Sequence, residues 1–321
     1  MKRTLATLLA AGVLLVSGSH AAAETGRPLR IVVPFSAGGA QDGIARYFSA
    51  KLTALLNVPV IVENRTGAGG LVAADAVAKA NDGSTLMLAT GGAITIAPLL
   101  QPKLAYDPAR DLVPVTLVGD TPMTFAVRAE SPFKTMGDVV RAARRQPGGV
   151  SYGSSGNGSV SHLTGALLGQ AESVDLLHVP YRGGAPALAD LLGGQVSAIV
   201  TSASSIDPLV ESGKARVLAT FSRTRLSSLG SPPTMDEALG RKGLDVPVWI
   251  GFMAPSRVAL DDGEKVGAAL LSVCRLPETR EAFARLGVVA ECEGREAFAK
   301  VLSEDSARWG RVLRLGNIKI E

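Results

Sequence analysis

The sequence predicts an α/β chain with mainly parallel sheets, and three observations carry that prediction. Short apolar runs alternate with helix-period segments from residue 29 onward. Glycine-bearing loops follow several of those runs, as expected where a strand turns into a helix. Beyond the N-terminus, no stretch approaches the roughly 18 uninterrupted apolar residues of a membrane-spanning helix.

Taken in order, residues 29–34 read as a buried strand and 42–56 as a helix with apolar residues at helical spacing. Residues 58–63 form the next strand. The run Gly67-Ala68-Gly69-Gly70 leads into a helix over 71–79, and 85–90 is a third strand. From 112 to 128 the chain is one extended apolar stretch, broken by Pro114 and Pro122. A helix over 136–145 and a strand over 150–152 follow. A Gly/Ser loop, 153–159, opens a helix over 160–170. Then come strand 176–179, helix 185–192 and strands 197–202 and 217–220. A second long extended piece covers 246–255, and the tail is helical over 262–274, 277–286 and 295–312. The two long extended pieces are candidates for strands crossing between two domains. One continuous doubly wound sheet fits the same pattern.

The first 23 residues have the form of an export signal. Lys2 and Arg3 precede an apolar region at 5–16, and Ala21-Ala22-Ala23 is a small-residue cleavage site. Cleavage near Ala23 leaves 298 of the 321 residues, enough for two domains, and marks the product for export. Losing Lys2 and Arg3 lowers the formal charge from +4 to +2. With no basic run longer than Arg144-Arg145, nucleic acid is excluded as a partner. Aromatic content of 4% argues against stacking platforms for sugars or bases. Cys274 and Cys292 could pair in an oxidising compartment, but spacing does not fix their distance. Two free buried thiols are the favoured expectation.

Four loops each follow a strand: 35–39, 90–92, 153–159 and 181–184. In open α/β sheets ligands bind outside the carboxyl ends of strands, so all four can converge on one cleft. The opening loop, Phe35-Ser36-Ala37-Gly38-Gly39, joins a strand to a helix whose first turn holds Asp42. Free N–H groups and the positive end of the helix dipole make such a junction a seat for an anion. Ser154, Ser155, Gly156, Asn157, Gly158 and Ser159 add short hydroxyl and amide donors to backbone amides. Thr90 and Gly91, Tyr181 and Gly183, His162 one turn into a helix, and Ser202 at a strand end complete the candidate ligand contacts. Asp42 serves equally well as a ligand contact or as a first-turn acid, and Tyr181 either reaches the ligand or packs under its loop. His162 either faces the cleft or is buried against backbone, and His178 is structural.

Enzyme signatures are mostly absent. Gly153-Ser154-Ser155-Gly156 is one residue short of a hydrolase elbow. Gly67 to Val72 and Gly156 to Ser161 both lack the last glycine of a dinucleotide fingerprint. Zinc motifs are missing, and no metal or other cofactor is expected.

Several segments together resemble the periplasmic substrate-binding proteins of tripartite tricarboxylate transporters, the Bug proteins. They are Val33-Pro34-Phe35-Ser36-Ala37-Gly38-Gly39 with Asp42, Val62 through Gly70, Tyr152 through Ser159 with His162, His178 through Gly183, and Asp190 through Val196. The resemblance spans the whole mature chain. It implies a fold similar to type II periplasmic binding proteins: two α/β lobes joined by two crossing strands, with the ligand in a central cleft. Carried onto this chain, lobe one is 24–124 plus 252–321 and lobe two is 125–251. It further implies a small carboxylate held by backbone amides and small hydroxyls, with ordered waters bridging to the first glycine loop. The implied partner of this monomer is a membrane permease that accepts ligand from the closed form. Ser36-Ala37 stand where the family often has prolines, which softens the rim around the ligand's distal end. The competing expectation is a secreted or periplasmic enzyme acting on a small carboxylic acid in the same cleft through Ser155 or His162.

Overall fold

The computed structural model describes residues 27–316, apart from Ser36, Gly39, Pro102, Arg182 and residues 258–262. The export signal therefore lies outside the described residues, as do Ser36 and Gly39 of the first loop and Arg182.

The chain opens with β1 (Leu29–Val33), α1 (Ala40–Leu56), β2 (Val60–Asn64), α2 (Leu71–Ala78) and β3 (Thr85–Thr90). A wide helical turn, Gly92–Ile96, runs into α3 (Ala97–Leu100); α4 (Pro108–Asp111) and β4 (Leu112–Asp120) follow. Next come β5 (Met123–Arg128), α5 (Met136–Arg145), β6 (Val150–Ser154), α6 (Val160–Glu172), β7 (Leu176–Pro180) and α7 (Gly184–Leu192). After them lie β8 (Ala198–Ser202), α8 (Ala203–Glu211), β9 (Ala215–Thr220) and α9 (Met235–Leu239). The chain closes with β10 (Trp249–Pro255), α10 (Gly263–Cys274), α11 (Pro277–Arg285), β11 (Val289–Glu293) and α12 (Arg295–Leu315).

These strands form two separate sheets, ordered β11-β4-β10-β3-β1-β2 and β7-β6-β8-β5-β9. The extended stretch 112–128 is thus two strands in different sheets. The chain crosses at Thr121-Pro122, where Thr121 N–H donates to Val248 O (3.0 Å), and returns just before β10. Each sheet is mixed rather than mainly parallel. β1 is parallel to β2 and β3, and β6 to β7 and β8; β4, β10 and β11 pair antiparallel, as does β5 with β8 and β9. The strands next to the two crossings run against the βα units, which is what periodicity alone could not reveal. The expected lobe boundaries at 124/125 and 251/252 fall inside β5 and β10.

Both faces of the central strands of each sheet are buried, which explains their continuous apolar runs. In the first sheet Ile31, Val33, Leu86 and Leu88 pack on one side with Phe48 and Phe252. Val32, Met87 and Ala89 pack on the other with Val77 and Trp249. Phe125 and Val200 likewise face one core of the second sheet, and Ala126 and Ile199 the opposite one. Trp309, Val312 and Leu313 of α12 belong to the former core, so the last helix bridges the two sheets.

The cysteine expectation is corrected. Cys274 and Cys292 form a disulfide, with Cα atoms 5.6 Å apart, because the turn after α11 folds β11 back beside the end of α10.

Candidate functional site

The carboxyl ends of β1 and β3 face those of β6 and β8 across a cleft of about 790 Å³. Each wall is built from strand-to-helix turns, so helix N-termini rather than charged side chains point inward.

On the first wall, Phe35 follows β1 and lines the cleft with Ala40 and Gln41 of the first turn of α1. Asp42 does not line it. Its carboxylate accepts from Gly38 N (2.9 Å), Arg46 Nε (2.9 Å) and Asn64 Nδ2 (2.9 Å), and Asn64 also donates to Phe35 O (3.0 Å). The Arg46 hydrogen bond, followed by those from Gly38 and Asn64, outweighs desolvation and holds the Asp42 carboxyl below the usual range. Asp42 therefore stitches the first loop, including Ala37 and Gly38, to its helix. The neighbouring wall is the loop 67–70. Ala68 and Gly69 have φ of 47° and 65° and line the cleft with Leu71. Thr90 and Gly92 sit beside them, whereas Gly91 is buried behind. A Cβ at Gly92 would come within 3.3 Å of Gly69 O, so only glycine lets these two turns touch without displacement.

The second wall is the Gly/Ser loop. Ser155 and Asn157 are exposed to the cleft, and Gly158, Ser159, Val160 and Ser161 continue it into α6. Ser159 caps α6 by accepting from His162 N (3.2 Å). The Ser161 hydroxyl is the hub. It lies 3.0 Å from both Ser155 Oγ and Ser159 Oγ and accepts from Ser155 N (3.0 Å). Among the described residues, the N–H groups of Asn157, Val160 and Ser161 carry no protein acceptor. Two amides of the first helical turn, one loop amide and three linked hydroxyls thus converge on one corner.

Most of the other expected contacts lie behind this surface. Ser154 is fully buried, its hydroxyl 2.6 Å from His178 Nε2, and Gly156 N–H donates to it (3.1 Å). His162 is buried, accepts from Gly158 N at Nδ1 (3.0 Å) and stacks on His178 with ring centroids 3.8 Å apart. Burial lowers the pKa of both histidines; with the charge of His162 nearby, His178 falls to about 4. Tyr181 donates to Asp190 (2.7 Å), and Gly184 rather than Gly183 lines the cleft. Ser202 does line it, with Thr201, Ser204 and Ser205.

Sequence reading missed the loop 67–70, Gln41, Thr121, Ser204 and Ser205. The glycines of 67–70 were a visible signal, since they repeat the strand–glycine–helix pattern of the first loop. The other four are ordinary polar residues that only the tertiary fold brings to the cleft. Among the described residues that line it, none is ionisable. Hydroxyls, backbone amides and apolar side chains such as Phe35, Leu71 and Ile96 can bind and orient a small anion there. Among the described residues the Ser155 hydroxyl has only the Ser161 hydroxyl as a partner and no base beside it to activate it.

The family described as the tripartite tricarboxylate transporter family receptor matches residues 44–318. The chain belongs to this family. It is 31% identical over 332 residues to protein BugT of Bordetella pertussis, with 100% of this chain and 99% of BugT covered. Among solved structures it is similar to Rpa4515 of R. palustris with adipate, at TM-score 0.78 and 29% identity over 91% of this chain and 98% of that one. It is also similar to MatC of Rhodopseudomonas palustris with bound malate, at TM-score 0.73 and 30% identity over 89% and 98%. As a receptor-family member, the chain shares a two-sheet α/β fold with these binding proteins.

Proposed function

We propose that this chain is an exported solute-binding receptor that captures a small carboxylate between its two sheets and delivers it to a tripartite tricarboxylate-type membrane permease. The observation that carries the reading is the uncharged corner at the start of α6. Free amides of Asn157, Val160 and Ser161 and the hydroxyl triad face the backbone turns of the opposite wall. Preorganised dipoles of this kind favour a carboxylate without a permanent positive charge to trap it. Structural relatives hold adipate and malate, which supports the same ligand class.

The two sheets with their helices act as two lobes, divided near 24–124 with 252–321 and 125–251, which close around the ligand and so lower its escape. One chain supplies both walls, in keeping with a monomer. Export to the periplasm is supported by the leader and by the Cys274–Cys292 disulfide, which suits an oxidising compartment. Among the described residues no base lies beside Ser155, and Gly158 N–H occupies His162 Nδ1, which favours binding over turnover.

A thermal-shift screen of mono-, di- and tricarboxylates tests the proposal. At a ligand concentration of 100 times Kd, binding only the folded state adds about 2.7 kcal/mol of apparent stability. The cognate acid should be recovered unchanged after denaturation, and Ser161→Ala should weaken it roughly tenfold by removing the hub of the triad. No shift across the screen rejects the receptor reading; recovery of a converted product favours an enzyme.

A further inference from the structure

The back of the cleft, where the chain crosses between the sheets, holds a polar group that the fold leaves unused. Thr121 is only 6% exposed and lines the cleft, yet its Oγ1 has no hydrogen-bond partner among the described residues. Buried hydroxyls are nearly always paired, so an orphan on a residue that borders a cavity points to something that reaches it there. The backbone of Thr121 is pinned by its N–H bond to Val248 O (3.0 Å), which fixes the residue's place at the crossing.

A second anion-favouring element lies next to it. Pro122 O accepts from Ala203 N (2.8 Å), the first residue of α8, and Met123 registers with Ser202. Unlike Ser159 at α6, Ser202 does not cap its helix. Its hydroxyl engages those of Ser204 (3.2 Å) and Ser205 (2.7 Å) instead. The positive end of α8 is thus uncapped by side chain and opens on the cleft beside Thr121. This seat is built from crossing-strand and α8 residues, separate from the corner at α6.

We propose that Thr121, with the N-terminus of α8, reads a second carboxylate on the ligand, making Thr121 a specificity-determining contact on the crossing strand. This rests on the reading of the cleft as a carboxylate receptor. Because Thr121 sits on the segment that joins the sheets, a ligand bridging it and the α6 corner contacts both the crossing and the second lobe at once.

Calorimetric titration with length-matched pairs tests the assignment: succinate with butyrate, glutarate with valerate, and adipate with hexanoate. In the natural chain the diacid of at least one pair should bind tenfold or more tightly than its monoacid. Thr121→Val should cut that ratio at least fivefold while leaving the monoacid Kd within about twofold, and Thr121→Ser should restore it. The ligand-free Tm of the valine variant should be unchanged or higher, because the hydroxyl it removes has no partner. Equal affinities for diacid and monoacid in the natural chain would overturn the second seat while leaving carboxylate binding intact. So would a ratio unchanged by Thr121→Val, or a marked fall in the ligand-free Tm. If the screen yields a ligand outside these pairs, a Kd unaffected by Thr121→Val overturns the assignment equally. No binding of any carboxylate removes both proposals together.

Discussion

Gly165 occupies the interior of α6, where helix propensity alone favours alanine by about 1 kcal/mol. Packing reverses that preference. A Cβ at Gly165 would lie 2.2 Å from Cε2 and 2.4 Å from Cζ of the Tyr152 ring. The ring cannot swing away, since Tyr152 is buried, donates to His162 O (3.0 Å) and packs beside His178. Gly165→Ala should therefore destabilise the chain by roughly 1–3 kcal/mol, the usual cost of overpacking. A thermal melt should show a fall of several degrees; a rise would mean that the Tyr152 ring yields. The same local competition decides Asp42. A first-turn acid is favoured by the helix dipole wherever it points, so sequence left its role open. In the fold three donors hold its carboxylate between the first loop, α1 and the end of β2.

The disulfide joins the last residue of α10 to β11, an edge strand whose pairing with β4 is irregular between Ala290 and Glu293. Chain entropy assigns about 3 kcal/mol to closing a loop of this order, the two cysteines being 18 positions apart. Replacing both cysteines by alanine should lower Tm by roughly 5–10 °C and speed amide exchange over 289–293 more than in β1. Equal exchange at both strands would show that β4 alone holds the edge. Elements were legible in proportion to their burial. β1, β3 and β8 are apolar on both faces and announce themselves, and α5 is bounded by its Thr135 capping box. α8 was missed because two serines and Pro208 mask its apolar period, α9 is a five-residue helix, and β11 alternates poorly because it lies at an edge. In the site, glycine loops were visible as strand–turn–helix junctions. Thr121 and Ser204 were not, since their sharing one cleft depends on β5 pairing with β8, a long-range contact with no local trace.

At the scale of the whole molecule, the two sheets are tied where β4 ends and β10 begins, and Asp120 sits in that tie. Its Oδ1 accepts from Val248 N (2.6 Å), and it registers with both Trp249 and Val289. Burial, then the charge of Glu291, push its carboxyl up to about 7; the Val248 N–H and Arg223 pull the other way, and Asp245 adds to the rise. A carboxyl raised in the folded state contributes stability that is fully present below its unfolded pKa and is lost as pH rises through the folded value. For Asp120 that window runs from 3.8 to about 7. His178 acts in the opposite sense. Its folded pKa of about 4, against an ordinary 6.5, removes stability as pH falls through that interval. The two effects oppose each other in the native chain. Comparing Asp120→Asn with the native chain cancels the histidine contribution, because both proteins keep it. Asparagine retains the oxygen that accepts from Val248 but carries no charge. The Tm of the variant relative to native should therefore climb by roughly 2–5 °C between pH 5 and pH 8. A difference that stays constant over that range would mean Asp120 ionises like an exposed carboxylate, and that the tie between the sheets is open to water.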